Sequence, residues 1–389
     1  MKWTNRGYEF DKQGVYLKGI KKIYIYGAGK LGMEFLHMFR TFDDFDCEIK
    51  FIDADRAKQK AGYLDLKVLS PEEFFQTSKE EHIVIVAASI QNTITIMEKM
   101  QAFGYEEDVD CFTVQRFLPI YSGYVRDKVY FPSISFLPTT RCNLNCEACL
   151  NFNPYNKNQT DIDLNILKAD VDIFFQCVDY IGLFHISGGE PLLYPQLGHL
   201  IEYIDNNYRK KIYRLEITTN GTIILSDEIC KILKKHNVNV ILDDYTEALP
   251  QNKQRFEKVM NKMKAHCIEY FINKVDSWID LCPLTTNHYD WNDQKLMDFY
   301  EACKNPFQEL RDKKIYSCNY ASYAMKAGLN VDSCNDYYDL TTFNLKKKKE
   351  LIEFRLGYTE KGYVDFCKKC SGLSTTINKN IVVVAKQKS

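Results

Sequence analysis

Three cysteines, Cys142, Cys146 and Cys149, fall within the ten residues RCNLNCEACL at a C-x3-C-x2-C spacing. Thiolates grouped so closely suit a soft metal centre, and the loop that carries them follows a strand-like run, SISFLPTT. A zinc knuckle and chance burial are the plainer readings. Structural zinc nearly always takes four protein ligands, commonly grouped in C-x2-C pairs, and this motif supplies three. An iron–sulfur cluster also normally takes four cysteines. A [4Fe–4S] cube held by three therefore keeps one iron open for a substrate or cofactor, which is a catalytic arrangement.

Two further motifs follow in order. SGGEP, Ser187 to Pro191, comes after the next strand-like run, and ITTNGT, Ile217 to Thr222, ends a later one. With these three motifs the stretch from about residue 132 to 275 resembles the radical S-adenosylmethionine (radical SAM) superfamily. The resemblance implies that Cys142, Cys146 and Cys149 hold three irons of a [4Fe–4S] cluster and that SAM chelates the fourth. Gly188 and Gly189 lack a Cβ, so the backbone can approach the methionine end of SAM closely. Glu190 either contributes charge or holds the loop. Thr219 and Asn220 are placed, by the resemblance, to hydrogen-bond the ribose, although TNG is also an ordinary turn signal. The superfamily usually has an aromatic residue before the third cysteine, whereas this chain has Ala148. That leaves the adenine to another contact, for which Phe152 is the candidate.

A second set of cysteines lies nearer the C-terminus. Cys303, Cys318, Cys367 and Cys370 occur in ACKNPFQELRDKKIYSC and DFCKKC, which are similar to the twitch and SPASM extensions of radical SAM enzymes. There a loop cysteine precedes a hairpin, here KKIYSC, and a later C-x2-C completes an auxiliary [4Fe–4S] cluster. Four cysteines of this spacing suit a structural zinc equally well. Cys282 and Cys334 are left over: Cys334 could replace one of the four as ligand, either could be a hydrogen-atom donor to a substrate radical, and the plainer reading of both is a core thiol. Cys47, Cys111, Cys177, Cys230 and Cys267 read as packing.

Near the N-terminus YIYGAGKLG gives Gly27, Gly29 and Gly32 in a G-x-G-x-x-G turn, and Asp53 closes the following strand-like run. That is the local context of a dinucleotide-binding fingerprint: the glycines let a pyrophosphate approach a helix N-terminus, and Asp53 could accept from a ribose hydroxyl. The region also resembles small Rossmann-like modules attached to enzymes of surface-glycan assembly, which bind a nucleotide-sugar or serve as scaffolds.

These motifs need rigid elements to position them, and the chain of 389 residues exceeds the roughly 250–300 at which one core stops growing. KKIYIYGAGKLG, CEIKFIDAD, HIVIVAA and TITIMEKMQAFG alternate strand and helix patterns, which argues for a parallel sheet with helices on its faces. FLPIYSGYVRDKVYFPS, with Pro119 and Pro132, reads as a linker. A second alternating series supplies about five strands, the beginnings of a (β/α) barrel, and alternation fails after Trp278. Lys346 to Lys349 reads as a solvated helix face. With the resemblances, the fold class is α/β: an N-terminal Rossmann-like parallel sheet over 1–120, a central partial (β/α)6 radical SAM barrel over 121–280, and a loop-rich, cysteine-containing twitch/SPASM-like extension over 281–389.

A formal net charge of −1 provides no basic field for nucleic acid or acidic lipid, and no run approaches the roughly 18 apolar residues that span a bilayer. No secretory h-region opens the chain, so a cytoplasmic location is expected, with the fourteen cysteines reduced. The resemblances imply a radical SAM oxidoreductase. It would cleave SAM to a 5′-deoxyadenosyl radical, abstract hydrogen from a small-molecule substrate, possibly a sugar or nucleotide-sugar, and draw electrons from a reductant such as flavodoxin or ferredoxin. The alternatives are a peptide maturase, a sugar epimerase and a non-catalytic metal-binding protein.

Overall fold

The computed structural model describes residues 1–42, 47–77, 81–303, 305 and 307–388. The chain divides into two compact units, Tyr8–Pro132 on the one hand and Met1–Gly7 with Ser133–Ser389 on the other.

The Tyr8–Pro132 unit is built on five parallel strands: β1 (Lys22–Tyr26), β2 (Glu48–Ile52), β3 (Val68–Leu69), β4 (His82–Val86) and β5 (Cys111–Thr113). Their order is β3-β2-β1-β4-β5, the order of the doubly wound sheets. Central strands covered on both faces read as continuous apolar runs, and β1 and β4 do so. The helix Lys30–Phe42 places Phe35, Leu36 and Phe39 against the core at helical spacing.

The expected linker is in part a helix, Val114–Tyr124, with Pro119 inside it. Proline there removes one backbone donor, yet Phe117, Leu118, Ile120 and Tyr121 are all buried. Phe39 meets Phe117 at 5.9 Å and Tyr121 at 5.4 Å between ring centroids. Apolar burial of about 1.5–3 kcal/mol per large side chain outweighs the single lost hydrogen bond.

The other unit carries an eight-stranded sheet. Its strands are β6 (Tyr130–Phe136), β7 (Tyr180–Ile186), β8 (Ile212–Thr219), β9 (Asn239–Asp243), β10 (Tyr270–Asn273), β12 (Glu309–Arg311), β13 (Lys314–Tyr316) and β14 (Tyr337–Asp339), while β11 (Ser277–Ile279) pairs separately with β15 (Ile381–Val383). The order is β10-β9-β8-β7-β6-β12-β13-β14. β7 to β10 pair in parallel, β12 runs parallel to β6, and the last three strands form an antiparallel meander. The mixed α/β fold with parallel pairing is that of a partial barrel.

One face of the sheet lies under helices. Phe184 of β7 meets Phe174 at 6.2 Å and Phe175 at 5.9 Å, both on the helix Leu164–Cys177. Side chains alternate along strands, so His185 of β7, with Arg214, Glu216 and Thr218 of β8 and Asp243 of β9, occupies the opposite face.

Asp170, buried on the helix Leu164–Cys177, accepts from the N–H groups of Asp312 and Lys313 at 3.0 and 2.7 Å. Both residues have positive φ, at 52° and 59°, as a two-residue hairpin turn requires. Burial pushes the Asp170 carboxyl up to about 6. The region after Trp278 is richer in helix than its sequence suggested, with helices at Asp293–Cys303, Asn319–Lys326 and Lys348–Arg355. Among the described residues no helix is long and apolar enough to cross a membrane.

Candidate functional site

Each of the first three motifs sits just past the C-terminal end of a parallel strand. The cysteine loop follows β6, SGGEP follows β7, and Asn220 follows β8. Side chains on separate loops thereby gather at one edge of the sheet, where ligands of open α/β sheets bind.

The glycines of SGGEP are required by packing. A Cβ on Gly188, whose φ is 149°, would lie 2.6 Å from Thr139 O, and one on Gly189 would lie 2.2 Å from Arg141 O. Backbone bonds lock the approach: Gly189 N–H donates to Thr139 O at 3.0 Å and Glu190 N–H to Arg141 O at 2.7 Å. The SGGEP turn is thus laced to the start of the cysteine loop.

Glu190 has its role set by three donors. One oxygen accepts from Leu192 N–H at 3.1 Å and from the Thr219 hydroxyl at 2.8 Å; the other accepts from Asn220 N–H at 2.8 Å. It is 1% exposed, so it holds two loops together rather than meeting solvent. Burial pushes its carboxyl up to about 7, against the hydrogen bonds that favour the anion. Thr219, also buried, spends its hydroxyl on Glu190. Asn220 extends the network: its Nδ2 donates to Asn143 Oδ1 at 3.0 Å and approaches the Cys142 sulfur at 3.9 Å.

The three thiols sit close enough to perturb one another. Burial pushes Cys142 up to about 12 and Cys146 up to about 11, with the neighbouring thiols adding to the shift. Burial raises Cys149 as well, and backbone N–H groups of Asn153, Asn151 and Phe152 oppose it. Leu144 N–H donates to the Cys142 sulfur at 3.4 Å, and the Gln387 amide to the Cys146 sulfur at 3.3 Å. Donors aimed at sulfur suit thiolates that carry negative charge toward a metal. Among the described residues no three His, Cys, Asp or Glu side chains converge closely enough to hold a single ion. A cluster has no such need, since each iron takes its own terminal thiolate.

Phe152, the candidate adenine contact, is turned elsewhere. It is buried and packs edge-on against Phe366 at 5.9 Å in the apolar cluster around the second cysteine group.

That second group is drawn together from separate segments. Cys318 feels Cys303, and Cys367 feels Cys370, Cys318 and Cys303, with burial the main cause of each raised thiol. N–H donors again face sulfur: Leu373 to Cys303 at 3.3 Å, Gly372 to Cys370 at 3.2 Å, and the Asn305 amide to Cys318 at 3.4 Å. Cys282 lies beside Cys370 and Cys334 is exposed.

Several site residues had no motif to announce them. Asp243 accepts from Tyr245 Oη at 2.8 Å and from Asn273 Nδ2 at 2.7 Å. His185 shares a hydrogen bond with Thr218 at 2.8 Å, and burial lowers its pKa to about 4, so the ring is neutral. Glu309 and Arg311 line a cavity of about 20 Å³ together with Asn153 and Gly189. Glu309 Oε2, 3.8 Å from Arg311 Nη1, and Asn153 Nδ2 are buried there with no hydrogen-bond partner among the described residues. Strand alternation was the only sequence signal for these residues.

In the Tyr8–Pro132 unit, a Cβ on Gly27 would lie 2.4 Å from Ala87 O and one on Gly32 would lie 2.1 Å from Gly27 O, while Gly29 faces open space. Asp53 accepts from Ala28 N–H at 2.8 Å and from Asp55 N–H at 2.9 Å, which ties its carboxylate to the glycine turn. Lys58 Nζ donates to Ala28 O at 2.7 Å.

A strand-edge site with three clustered thiols and a glycine cradle defines a class, and comparison with known proteins gives the same one. Residues 136–303 match the model of the radical SAM superfamily. Proteins of that superfamily bind a [4Fe–4S] cluster and SAM. The chain is 37% identical over 113 residues to a probable GTP 3′,8-cyclase of Methanococcus aeolicus, covering 27% of this chain and 35% of the relative. It is 30% identical over 176 residues to the probable GTP 3′,8-cyclase of Methanocaldococcus jannaschii, covering 43% and 53%. The chain thus spans only about a third to a half of the length of the curated relatives it matches. Among solved structures, BtrN in complex with AdoMet and 2-DOIA is 15% identical, with a TM-score of 0.36, covering 66% of this chain and 100% of that one.

Proposed function

We propose that the protein is a radical SAM oxidoreductase acting on a polar small molecule, a sugar or nucleotide-linked sugar. The observation that carries this reading is the pair of thiol groups, Cys142, Cys146 and Cys149 beside a glycine cradle, and Cys303, Cys318, Cys367 and Cys370 in an apolar surround. When bound, SAM and the first cluster supply a 5′-deoxyadenosyl radical able to take hydrogen from an unactivated C–H.

The chain's own residues do the rest. Gly188 and Gly189 let the SGGEP turn pack directly on the start of the cysteine loop, where its backbone is proposed to meet SAM, and Glu190 fixes that turn to Asn220. His185, Arg214, Glu216 and Asp243 offer a polar face on the sheet, which suits a hydroxylated substrate better than an apolar one. Cys303, Cys318, Cys367 and Cys370 are proposed to hold an auxiliary [4Fe–4S] cluster, which would accept the substrate's electron in an oxidation. Gly27, Gly29, Gly32 and Asp53 are proposed to serve nucleotide binding. Flavodoxin or ferredoxin is the proposed reductant.

The test is anaerobic reconstitution followed by incubation with SAM, reductant and candidate nucleotide-sugars. About eight irons per chain are expected for two cubes, and 5′-deoxyadenosine should rise with the right substrate. Zinc without iron, or 5′-deoxyadenosine that stays at the substrate-free level across the sugars, overturns the reading.

A further inference from the structure

Beyond β15 the chain lays residues 385–388 along the cysteine loop, with Gln387 opposite Cys146 as an antiparallel bridge. Glu147 N–H donates to Lys386 O at 2.7 Å and Lys388 N–H to Asn145 O at 2.7 Å, so the pairing flanks Cys146 on both sides. Lys386 also meets Glu147 as an ion pair at 2.7 Å.

The partners of the Gln387 amide fix its orientation. Its Oε1 accepts from Asn145 N–H at 2.7 Å. Its Nε2 donates to Ala385 O at 2.6 Å and to the Cys146 sulfur at 3.3 Å. A backbone N–H can only donate and a carbonyl can only accept, so the amide nitrogen is the end that faces sulfur. Cys146 is buried there among Leu249, Val384 and Ala385, an apolar surround in which a hydrogen bond acts more strongly than in water.

We propose that Gln387 is a positioning residue for the first cluster. It donates to the Cys146 thiolate, withdraws charge from it and raises the cluster's reduction potential, while the bridge holds the cysteine loop in register. Hydrogen bonds to the coordinating sulfurs are one of the levers that set such potentials, and partners behind the ligands also govern metal retention. The proposal rests on the reading that Cys142, Cys146 and Cys149 bind a cluster.

The experiment compares the full-length protein with Gln387→Leu, Gln387→Glu and Lys386→Ala. The glutamate keeps an acceptor for Asn145 N–H but loses the donor to sulfur; Lys386→Ala breaks the ion pair and leaves the sulfur contact intact. The cluster at Cys146 is identified by EPR as the one whose signal changes when SAM is added, and its potential is read by titration of that signal. Both Gln387 variants are expected to titrate at lower potential than the parent. Their iron affinity should fall about 10- to 100-fold in competition with a chelator. Lys386→Ala should titrate with the parent. An unchanged potential in both Gln387 variants, or an equal shift in Lys386→Ala, overturns the proposal while the cluster reading stands. A parent protein without any SAM-responsive signal sinks the cluster reading, and this inference with it.

Discussion

Cys142, Cys146 and Cys149 stand on one loop within eight residues, whereas Cys303, Cys318, Cys367 and Cys370 arrive from three separate stretches of chain. The first group borders a glycine turn and a polar network that ends at Asn220. The second includes three buried cysteines in a cluster with Leu281, Leu296, Tyr320 and Phe366. Under the proposed function, three ligands beside a polar cradle leave room for a further molecule on the metal, while four inside an apolar wall complete their own coordination. Ligand count and surroundings would then separate a site for chemistry from one for electron storage.

Substitution of one cysteine from each group probes that contrast most strongly. Cys142→Ala should abolish 5′-deoxyadenosine formation and remove about four of eight irons, whereas Cys303→Ala should lose about as many irons yet still cleave SAM. Iron analysis and chromatography of the nucleoside separate the two. Equal loss of SAM cleavage in both variants would erase the functional difference between the groups.

The polar cradle is tested next by Glu190→Gln, which sets an NH2 group against donors that now share a carboxylate. Leaving such buried groups mismatched costs about 1–3 kcal/mol, read as a lower denaturation midpoint together with weaker SAM binding. A similar loss of about 1–3 kcal/mol is expected for Gly189→Ala through overpacking against Arg141 O. Gly29→Ala, where a Cβ meets open space, should leave stability nearly unchanged.

A distributed effect, spread over several pH units and several groups, is expected from pH. Asp170, with its carboxyl near 6, and Glu190 and Asp336, near 7, are buried and titrate above their unfolded values of about 4. Their contribution is therefore full below about pH 4 and is lost as pH rises through 6 and 7, by up to about 1.4 kcal/mol per group for each pH unit crossed. Over that window the metal-free protein should melt at progressively lower temperature, and Asp170→Asn should flatten part of the slope.

What could be read from the sequence followed from chemical locality. C-x3-C-x2-C, SGGEP and G-x-G-x-x-G announce themselves because their function depends on neighbours in sequence. His185, Asp243 and Glu309 gave no such signal, since only strand register places them on one face. Gln387 was illegible for the same reason: its partner, Cys146, lies far away in the chain. The helix Val114–Tyr124 was hidden by Pro119, whose local penalty is overridden by the aromatic residues around it. Glu190 was read as either a charge or a fastener, and its three donors tie the SGGEP turn to Thr219 and Asn220.

β6, which launches the cysteine loop, is flanked in the sheet by β7 on one side and on the other by β12, from a distant part of the chain. Until β12 arrives, β6 presents an unpaired edge lined by Ile134 and Phe136, a template for pairing with a second chain. Expressed without the residues beyond Ile279, the barrel strands should self-associate rather than remain monomeric, whatever the state of the cluster. The distal hairpin therefore covers an edge that the barrel strands otherwise leave open, a duty separate from any thiol it brings.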